Sequence, residues 1–593
     1  MTAPPGRPPF DDLQAFAAHL EARGELRRIR VEVDPLHEIP EIAFRAVKEG
    51  LPALLFERPA GSDVPVLLNM LATDARIEMA LGRPPGAFGE MLGRMAHRLM
   101  PPKPANLWGE RSTLLRALNM RKARVGSGPV LDATTSPDLD RLPILKLWPD
   151  DGGRFITFPL VLTADPETGV GNMGVYRMHV YDKASTGMHW QIQKGGGFHY
   201  HKAEAAGRPL PVCVALGGDP ILLLCAVAPL PEGIDEIAFA GFLRGRPVKM
   251  VRGPSTGLLA PADAEFLIEG QVAPVERRVE GPFGDHFGHY SHAAPFPVFR
   301  IQSISRRKNA IYPAAVVGKP PQEDKFIGNA LQEMTLPILR IMHPEVIDAW
   351  AYYETGFHSL FVVSVRERYR KEAVKTALGL LGTGQLSLTK VMVTVGPEVN
   401  VRDFPAVLEA IRDHFDPVED FLLLPGTPFD TLDFTSFKMN MGSKMIIDAV
   451  ERADVRPNEP REFDTFDAAA VHHRVERWRL LEDALLVVQV ERDPWPVLEA
   501  FQALPRDAAP PLVVAVSPDV ELADLESLLW GIFTRFEPAR DVRFTESRMV
   551  GAQPRWEGRM LVDATWKNGY PSPVLMDPDI VRRVDRRWSE YWK

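Results

Sequence analysis

Three residues of the sequence could together carry out acid–base chemistry on an anionic substrate. Arg177 closes the segment Gly171-Asn-Met-Gly-Val-Tyr-Arg177, and arginine captures carboxylates and phosphates through paired hydrogen bonds. Glu280 and Asp285 flank a Gly-Pro-Phe-Gly segment that favours a tight loop. Two carboxylates in a poorly solvated site have pKa values that are pushed apart, which makes one of them an acid near neutral pH. The alternatives are an arginine that pairs with a neighbouring acid and an acidic turn that is exposed to solvent.

The segment from Trp190 to His201 could bind a phosphate or a metal ion. It contains three consecutive glycines next to Lys194, and their backbone amides could approach a phosphate. The pattern is not a P-loop, because no Gly-Lys-Ser/Thr is present. His199 and His201 would share one face of a strand and could bind a metal ion, but no third ligand is evident nearby.

Oxygen-bearing side chains suggest a second cation site. Glu236 ends the acid-rich turn Pro229-Leu-Pro-Glu-Gly-Ile-Asp-Glu236, and Mg²⁺ and Mn²⁺ prefer carboxylate and amide oxygens. Glu236 and Asn172 would suit such an ion if the fold brings them together; the alternative is a turn in solvent. Asn172 and Arg177 are predicted at the two ends of a short strand. Five residues apart, they would point to opposite faces unless the strand bends.

The elements that must position these residues predict an α/β (α+β) chain. With 593 residues, 45% hydrophobic and 25% charged, the composition is that of a globular protein of two to four domains. Helical periodicity over Phe10–Arg23, with Asp11 or Asp12 as N-cap, marks an α/β beginning. Strand-like runs with Gly- and Pro-rich turns follow, among them Ile221–Ala228, and predict a barrel-like middle domain. Helices and strands then alternate, and no repeat of fixed period is evident.

We therefore predict four regions. They are an N-terminal α/β region (residues 10–121), a β-barrel-like domain (122–315), a C-terminal α/β domain (316–450) and, after a linker, an α/β extension (461–593).

Charge, cysteine content and hydropathy narrow the class of protein. The net charge of -9 argues against a nucleic-acid partner. Cys213 and Cys225 are too few for a disulfide framework and are predicted to be buried apolar residues. No apolar run approaches the roughly 18 residues of a membrane span, and the N-terminus lacks the apolar core of a signal peptide. We expect a cytoplasmic protein without an integral membrane segment.

Several motifs in register resemble those of the UbiD family of decarboxylases, over about residues 10–450. They are Gly171-Asn-Met-Gly-Val-Tyr-Arg177, Pro231-Glu-Gly-Ile-Asp-Glu236, Glu280-Gly-Pro-Phe-Gly-Asp285 and Leu388-Thr-Lys390. Two further segments, Val317-Gly-Lys-Pro-Pro-Gln-Glu-Asp324 and Glu354-Thr-Gly-Phe-His358, are similar to the longer bacterial members assigned to quinone biosynthesis.

The resemblance implies a reversible, non-oxidative decarboxylase that uses prenylated FMN, bound in a central split β-barrel and supplied by a flavin prenyltransferase. It also implies Mn²⁺ (or Mg²⁺) and K⁺ at the cofactor phosphate. The implied catalytic residues are Arg177, Glu280 and Asp285, with Asp285 as a neutral proton donor of raised pKa. The implied metal ligands are Asn172 and Glu236, with Gln193 where related sequences carry a histidine, for which His199 is a conceivable substitute.

The remaining implications concern the cofactor, the substrate and assembly. The implied cofactor contacts are Asn172, Val175, Tyr176, Arg177, Ala226, Val227, Ala228, Pro229, Glu236 and Lys390. The expected substrate is an aromatic acid, with a quinone precursor such as a polyprenyl-hydroxybenzoate or a dihydroxynaphthoate placed ahead of a simple hydroxybenzoate. A homo-oligomer, dimer or hexamer, is expected through the C-terminal domain. The alternative is a flavin-binding scaffold or accessory subunit without turnover of its own, which Gln193 and the C-terminal extension motivate.

Overall fold

The computed structural model describes residues 8–99, 103–191, 195–230, 234–453, 455, 457–458, 461–463 and 465–593. The chain divides into one compact unit made of Met1–Thr335 with Pro573–Lys593, and another made of Leu336–Ser572. Within the described ranges, every helix is too short or too polar to cross a bilayer. The four predicted region boundaries stay predictions.

Several helices of the first unit begin at residues whose side chains cap the first turn. The side chain of Asp12 accepts a hydrogen bond from the Ala15 amide at 2.8 Å, which confirms Asp12 as the N-cap of the first helix. The helices are α1 (Leu13–Ala22), α2 (Glu38–Lys48), α3 (Asp74–Leu81), α4 (Pro85–Leu99), α5 (Pro104–Gly109), α6 (Arg111–Ala117), α7 (Gly195–Ala205), α8 (Pro220–Val227), α9 (Glu236–Arg244) and α10 (Glu323–Met342, whose last turns belong to the second unit).

The strands of the first unit form a large antiparallel half-barrel sheet and smaller sheets beside it. They are β1 (Leu26–Ile29), β2 (Ala53–Phe56), β3 (Val66–Leu68), β4 (Ala123–Arg124), β5 (Ala133–Thr135), β6 (Phe155–Ile156), β7 (Pro159–Ala164), β8 (Gly171–Gly174), β9 (Met178–Asp182), β10 (Ser185–Gly187), β11 (Leu210–Leu216), β12 (Lys249–Arg252), β13 (Leu259–Pro261), β14 (Phe266–Glu280), β15 (Ala294–Arg306) and β16 (Tyr312–Pro313). The half-barrel has the order β6-β9-β10-β15-β14-β11-β7-β8, with β5 paired to β15; the smaller sheets are β1-β2-β3-β16 and β13-β12-β4. The predicted fold class is therefore confirmed.

Two predicted strands are helices. Within the run Ile221–Ala228, all residues up to Val227 lie in α8 and Ala228 is its C-cap. The helix begins here because Asp219 caps the amide of Ile221 and Pro220 occupies the first helical turn, where its missing N–H costs nothing. His199 and His201 lie in α7 rather than on one face of a strand. Two residues apart on a helix, they point to different sides: His199 is buried and His201 is exposed.

The predicted strand between Asn172 and Arg177 is also shorter than expected. Strand β8 carries Asn172 and ends at Gly174, and Arg177 lies in the connection to β9. Because the strand ends before Arg177, the alternation of side chains along a strand no longer forces the two residues to opposite faces. Cys213 and Cys225 are buried free thiols, as predicted.

The second unit contains two sheets of the same design. Its strands are β17 (Val346–Ala351), β18 (Leu360–Val365), β19 (Val391–Val395), β20 (Phe421–Pro428), β21 (Met441–Ala449), β22 (Trp478–Leu481), β23 (Leu485–Gln489), β24 (Leu512–Val516), β25 (Val542–Val550) and β26 (Gln553–Ala564). Its helices are α11 (Glu372–Leu381), α12 (Phe404–His414), α13 (Pro417–Asp420), α14 (Ala468–Val471), α15 (Trp495–Gln502), α16 (Leu525–Phe533) and α17 (Pro538–Asp541).

These two sheets are copies of one module. Their orders, β17-β18-β19-β21-β20 and β22-β23-β24-β26-β25, correspond strand for strand, and so do the parallel and antiparallel pairings. The modules pack reciprocally, since α13 contacts β26 and the equivalent α17 contacts β21. One apolar cluster contains side chains of both sheets. A repeat does exist, although the sequence shows none of fixed period.

The last helix, α18 (Pro578–Tyr591), belongs to the first unit and packs on α2. Glu38 accepts hydrogen bonds from Arg587 at 2.5 Å and from the Tyr591 hydroxyl at 2.8 Å. The final residues of the extension therefore stabilise the N-terminal α/β region.

Candidate active site

Arg177 joins the two predicted carboxylates, although they are 103 and 108 residues away in sequence. Its Nε donates to Oε1 of Glu280 at 3.0 Å. One terminal nitrogen donates to Oδ2 of Asp285 and the other to the hydroxyl of Ser291 at 3.1 Å. The guanidinium also lies 4.7 Å from the ring centroid of Phe283, a cation–π distance. The three residues therefore form one network.

This network is buried. The side chains of Arg177, Glu280 and Asp285 are 9%, 0% and 10% exposed, so the exposed acidic turn is excluded. The alternative interpretation of Arg177 was an arginine that pairs with a neighbouring acid. It does pair with acids, but it contacts Glu280 and Asp285 at once. A buried guanidinium between two carboxylates leaves a net negative charge in a region of low dielectric, an arrangement in which electrostatic interactions are strong.

Glu280 is held in its ionised form. Burial by itself raises its pKa, but attraction to Arg177 and to His189 outweighs burial and lowers the pKa from 4.5 to about 2. Nδ1 of His189 lies 2.9 Å from Oε2 of Glu280, opposite the oxygen that Arg177 binds. Glu280 is therefore fixed from two sides.

The predicted raised pKa of Asp285 is wrong for this state of the protein. Burial does raise the pKa of Asp285, but the Arg177 guanidinium and a hydrogen bond with His286 have the larger effect and lower it. The Nδ1 and backbone amide of His286 both lie 2.8 Å from Oδ1 of Asp285. The contacts of Asp285 in this structure therefore favour its ionised form.

The segment Gly281–Ser291, which we call the catalytic loop because it carries the implied catalytic residue Asp285, is held by hydrogen bonds of its backbone. The amide of Gly284 donates to Asp151 at 2.8 Å, and the amide of Gly152 donates to the Pro282 carbonyl at 2.8 Å. The amide of Ser291 donates to the Phe283 carbonyl at 2.8 Å. Burial raises the pKa of Asp151 to about 7. The loop thus presents Asp285 on a supported backbone.

Sequence inspection missed three residues of this network. His189 and Asp151 carry no motif around them that marks a role, and their signal is proximity alone. Ser291 lies six residues beyond Asp285. This closeness in sequence was the signal that its hydroxyl could reach Arg177. Each acts on Arg177, Glu280 or the loop that bears Asp285.

The residues implied for the metal ion and the cofactor phosphate gather around β8. Helices α7, α8 and α9 all pack against this strand. Oε2 of Glu236 accepts a hydrogen bond from the amide of Met173 at 2.9 Å, which brings Glu236 beside Asn172. Burial raises the pKa of Glu236. Two oxygen donors of the type that hard cations prefer thus lie on neighbouring residues of the fold.

A cradle without side chains adjoins Asn172. A Cβ added to Gly195 would lie 2.1 Å from Oδ1 of Asn172, and one added to Gly196 would lie 2.7 Å from Nε1 of Trp190. The three-glycine segment opens α7, and amides at a helix N-terminus attract anions. The amide of Gly196 donates to the Tyr176 hydroxyl at 3.2 Å.

Buried donors near this cradle lack partners. Within the described part of the chain, Nε1 of Trp190 and Nδ2 of Asn172 are buried and make no hydrogen bond. Unsatisfied buried polar groups are costly and call for an explanation such as a ligand. Together with the glycine cradle and the two oxygen donors, these atoms fit a site that holds a polar, phosphorylated cofactor.

The third implied metal ligand, Gln193, lies outside the described residues. Its conceivable substitute His199 bonds through Nδ1 to the Thr163 hydroxyl at 2.8 Å, and burial lowers its pKa. Over the residues the structure describes, no group of three or more His, Cys, Asp or Glu side chains is arranged to hold a metal ion.

The other implied cofactor contacts fall in both units. Val175 and Tyr176 lie in the connection from β8 to β9, and Ala226–Pro229 form the end of α8 and the residues after it. Lys390 belongs to the second unit. It is buried and donates to Oδ2 of Asp433 at 2.8 Å, with its Nζ 5.2 Å from the ring centroid of Phe536.

Family models match most of the chain in three consecutive segments. The descriptions are 3-octaprenyl-4-hydroxybenzoate carboxy-lyase N-terminal domain (residues 17–96), Rift-related domain (121–320) and C-terminal domain (325–449), under the family name UbiD. The motif-bearing residues from Asn172 to Lys390 lie inside the last two.

Relatives of two lengths match the chain. A protein of Archaeoglobus fulgidus is 45% identical over 454 residues, which are 75% of this chain and 92% of that protein. A protein of Chlamydia pneumoniae, named as a subunit of 4-hydroxybenzoate decarboxylase, is 37% identical over 585 residues, 98% of both chains. The match with the longer relative includes the C-terminal extension.

Solved structures share the fold. The closed form of the vanillic acid decarboxylase of Sedimentibacter hydroxybenzoicus matches with a TM-score of 0.67 and 26% identity, over 78% of this chain and 97% of that one. The UbiD-class enzyme HmfF of Pelotomaculum thermopropionicum, in complex with FMN, matches with a TM-score of 0.64 and 27% identity, over 77% and 99%. An evolved dimeric form of HmfF in complex with prenylated FMN has a TM-score of 0.63 and 26% identity, over 78% and 99%.

Proposed function

This chain belongs to the UbiD family and is a carboxy-lyase, and on that basis we propose that it decarboxylates an aromatic carboxylic acid with the help of prenylated FMN. The observation that carries the proposal is the buried network in which Arg177 contacts both Glu280 and Asp285. It offers a cation for the substrate carboxylate and an acid for the carbon from which CO₂ leaves.

Prenylated FMN fits the first unit by the chemistry of its residues. The glycine cradle beside Asn172, the amides that open α7 and the unpartnered buried donors suit a phosphate and a polar ring system. Asn172 and Glu236 would hold Mn²⁺ or Mg²⁺, with Gln193 as a third ligand and K⁺ beside the phosphate. When bound, prenylated FMN supplies the electron sink that decarboxylation needs.

Arg177 binds and orients the substrate carboxylate. A guanidinium has five N–H donors, and the bonds to Glu280, Asp285 and Ser291 use three of them. The other two N–H groups can donate to a substrate carboxylate while these three bonds persist. Orientation by a rigid, buried guanidinium lowers the entropic cost of reaching the transition state.

Asp285 delivers the proton. The substrate carboxylate adds negative charge near Asp285 and shares the guanidinium that keeps it ionised, and both effects raise the pKa of Asp285. Asp285 then takes up a proton as substrate binds, passes it to the carbon that has lost CO₂, and is protonated again from solvent. Glu280, fixed by His189, holds Arg177 in place throughout.

The proposed substrate class is a hydroxylated aromatic acid. Relatives named for vanillic acid and 4-hydroxybenzoate support this class, and likeness to the longer bacterial branch supports a quinone precursor within it. The named relatives favour a simple hydroxybenzoate as the competing substrate. A panel of candidate acids must therefore include quinone precursors and simple hydroxybenzoates.

The decisive test uses the chain produced together with a flavin prenyltransferase. The purified protein is incubated with a panel of aromatic acids, and CO₂ release and H/D exchange at the product carbon are measured. We expect turnover by the wild type, and loss of turnover with retained flavin absorbance in Asp285→Asn. Unchanged turnover in D285N would reject Asp285 as the proton donor.

A second candidate function is a flavin-binding protein that needs a partner for turnover. The observation that favours it is the name of the Chlamydia pneumoniae relative, which describes that protein as one part of a decarboxylase. The same panel separates the two functions, because turnover by the single purified polypeptide rejects an obligatory partner.

A further inference from the structure

The chain returns to the first unit beside the catalytic loop. We call residues Pro573–Met576 the C-terminal strap; they precede α18. Pro573 forms a β-bridge with His289, and the amide of Val574 donates to the Gly288 carbonyl at 2.9 Å. The strap thus contacts the loop that carries Asp285.

Gly288, whose carbonyl accepts the hydrogen bond of the strap, is itself hydrogen-bonded to Asp285. The amide of Gly288 donates to the Asp285 carbonyl at 2.8 Å, and the amide of Asp285 donates to the His289 carbonyl at 3.2 Å. Gly288 has a φ of 73°, a left-handed conformation that favours glycine. The strap therefore bonds to the last residue of the turn whose first residue is the proposed proton donor.

The strap and the loop contribute side chains to one apolar cluster. Val574 is 2% exposed and belongs to the same apolar cluster as Phe283 and Tyr290, which lie in the loop. Burial of a valine side chain is favourable relative to its exposure, so detaching the strap would expose apolar surface.

Helix α18 anchors the far end of the strap. Besides the bonds of Arg587 and Tyr591 to Glu38, Arg45 pairs with Asp585 at 2.6 Å, and a terminal nitrogen of Arg27 donates to the Trp592 carbonyl. The strap is therefore fixed at one end by α18 and bonded at the other to the catalytic loop.

We propose that the C-terminal strap positions the catalytic loop, with the backbone amide of Val574 fixing the turn Asp285–Gly288 and thereby the carboxylate of Asp285 and the imidazole of His286. The catalytic consequence rests on the proposed function, in which Asp285 is the proton donor. The mechanical part, the hold of the strap on the loop, stands independently of the reaction. The segment gives the C-terminal extension a role in the active site.

The test compares two substitutions at one position in the full-length holoenzyme. Val574→Pro removes the amide donor, and Val574→Ala keeps it while shortening the side chain. Amide hydrogen exchange is measured in peptides that cover the catalytic loop, and kcat and KM are measured on the best acid of the panel. Losing a backbone hydrogen bond of ~1 kcal/mol corresponds to ~5-fold faster exchange.

We expect V574P to exchange ~5-fold faster at Asp285 and Gly288 and to lose ~10-fold in kcat with KM changed less than ~2-fold, since orientation of the acid rather than binding is affected. V574A, which keeps the amide but removes two buried methyl groups, should change exchange and kcat less than V574P does. Wild-type exchange in V574P, or equal losses in V574A and V574P, would overturn the role of the amide.

A second variant guards against a V574P protein that does not fold. Two glycines inserted between Met576 and Asp577 keep every strap and helix residue but slacken the anchor. We expect faster loop exchange and a lower kcat than in the wild type, and wild-type values for both would overturn the proposal. If the wild type decarboxylates no acid, the proposed function fails, while the exchange data still decide whether the strap holds the loop.

Discussion

Replacing Arg177 by methionine tests how strongly the two carboxylates depend on one cation. The pKa of Glu280 lies at about 2, below its ordinary value of 4.5, and one pKa unit corresponds to ~1.4 kcal/mol. Ionisation of Glu280 therefore stabilises the folded state by roughly 3 kcal/mol at neutral pH. Because this pKa is lowered on folding, the contribution is present above pH 4.5 and is lost as the pH falls towards 2.

Arg177→Met removes the guanidinium but leaves both acids buried. Burial alone raises the pKa of Glu280 and Asp285, so both become harder to ionise in the folded variant. Breaking a buried ion pair by removing one partner costs about 3–5 kcal/mol. We expect this loss at pH 7.5, and we expect the difference from the wild type to shrink by pH 4.5, where the carboxylates of the variant are protonated.

The assay is differential scanning calorimetry of the flavin-free protein at pH 7.5, 5.5 and 4.5, following the first unit's transition. The matched control is Arg154→Met. Arg154 pairs with Asp140 at 2.6 Å, but that carboxylate is 63% exposed, and such surface pairs contribute about 0–1 kcal/mol. An R177M transition as stable as that of the wild type at pH 7.5, or a difference that does not change with pH, would refute the reasoning.

Two further predictions concern the cation site and the second unit. Glu236→Gln should lower the manganese content measured by mass spectrometry and the flavin retained after gel filtration. The control Asp235→Asn, which changes the neighbouring carboxylate paired with Lys122, should leave the manganese content near that of the wild type. Equal losses in the two variants would argue against Glu236 as a ligand. Lys390→Met should lower the melting temperature of the second unit, because Asp433 is left buried without its cation at a cost of about 3–5 kcal/mol. Adding Asp433→Asn should recover part of that stability, and no recovery would contradict the pairing.

Local signals in the sequence predicted individual elements well. The Asp12 cap and the periodicity after it placed α1 correctly. The run Ile221–Ala228 was assigned to a strand because a short, continuous apolar run does not distinguish a buried strand from a buried helix. The preceding Asp219-Pro220 pair, a helix start, was the signal that could have decided it.

Long-range features of the site needed more than spacing. No local pattern connects Arg177 to Glu280 across 103 residues; the resemblance to the UbiD family supplied that link. The pKa of Asp285 was predicted in the wrong direction because its value depends on where one guanidinium nitrogen points. His189 and the C-terminal strap act through contacts that arise only in the folded chain.

The repeat in the second unit escaped detection for a related reason. Its two modules share topology, but little sequence apart from pairs such as Phe415-Asp-Pro417 and Phe536-Glu-Pro538. The folded chain makes the equivalence explicit: the carbonyl of Lys390 accepts the amide of Met445, and the carbonyl of Pro511 accepts the amide of Met560, both at 2.9 Å.

This equivalence means that a pairing of the kind usually formed by two identical protomers is built from one polypeptide. Reciprocal contacts, α13 on β26 and α17 on β21, are those of an isologous interface, with the stoichiometry fixed at one to one by the peptide bond. The two halves differ in sequence, and Lys390 in one corresponds to Pro511 in the other. The surfaces that the two modules bury against each other cannot contact a further copy of the chain. Any larger assembly must therefore use other faces.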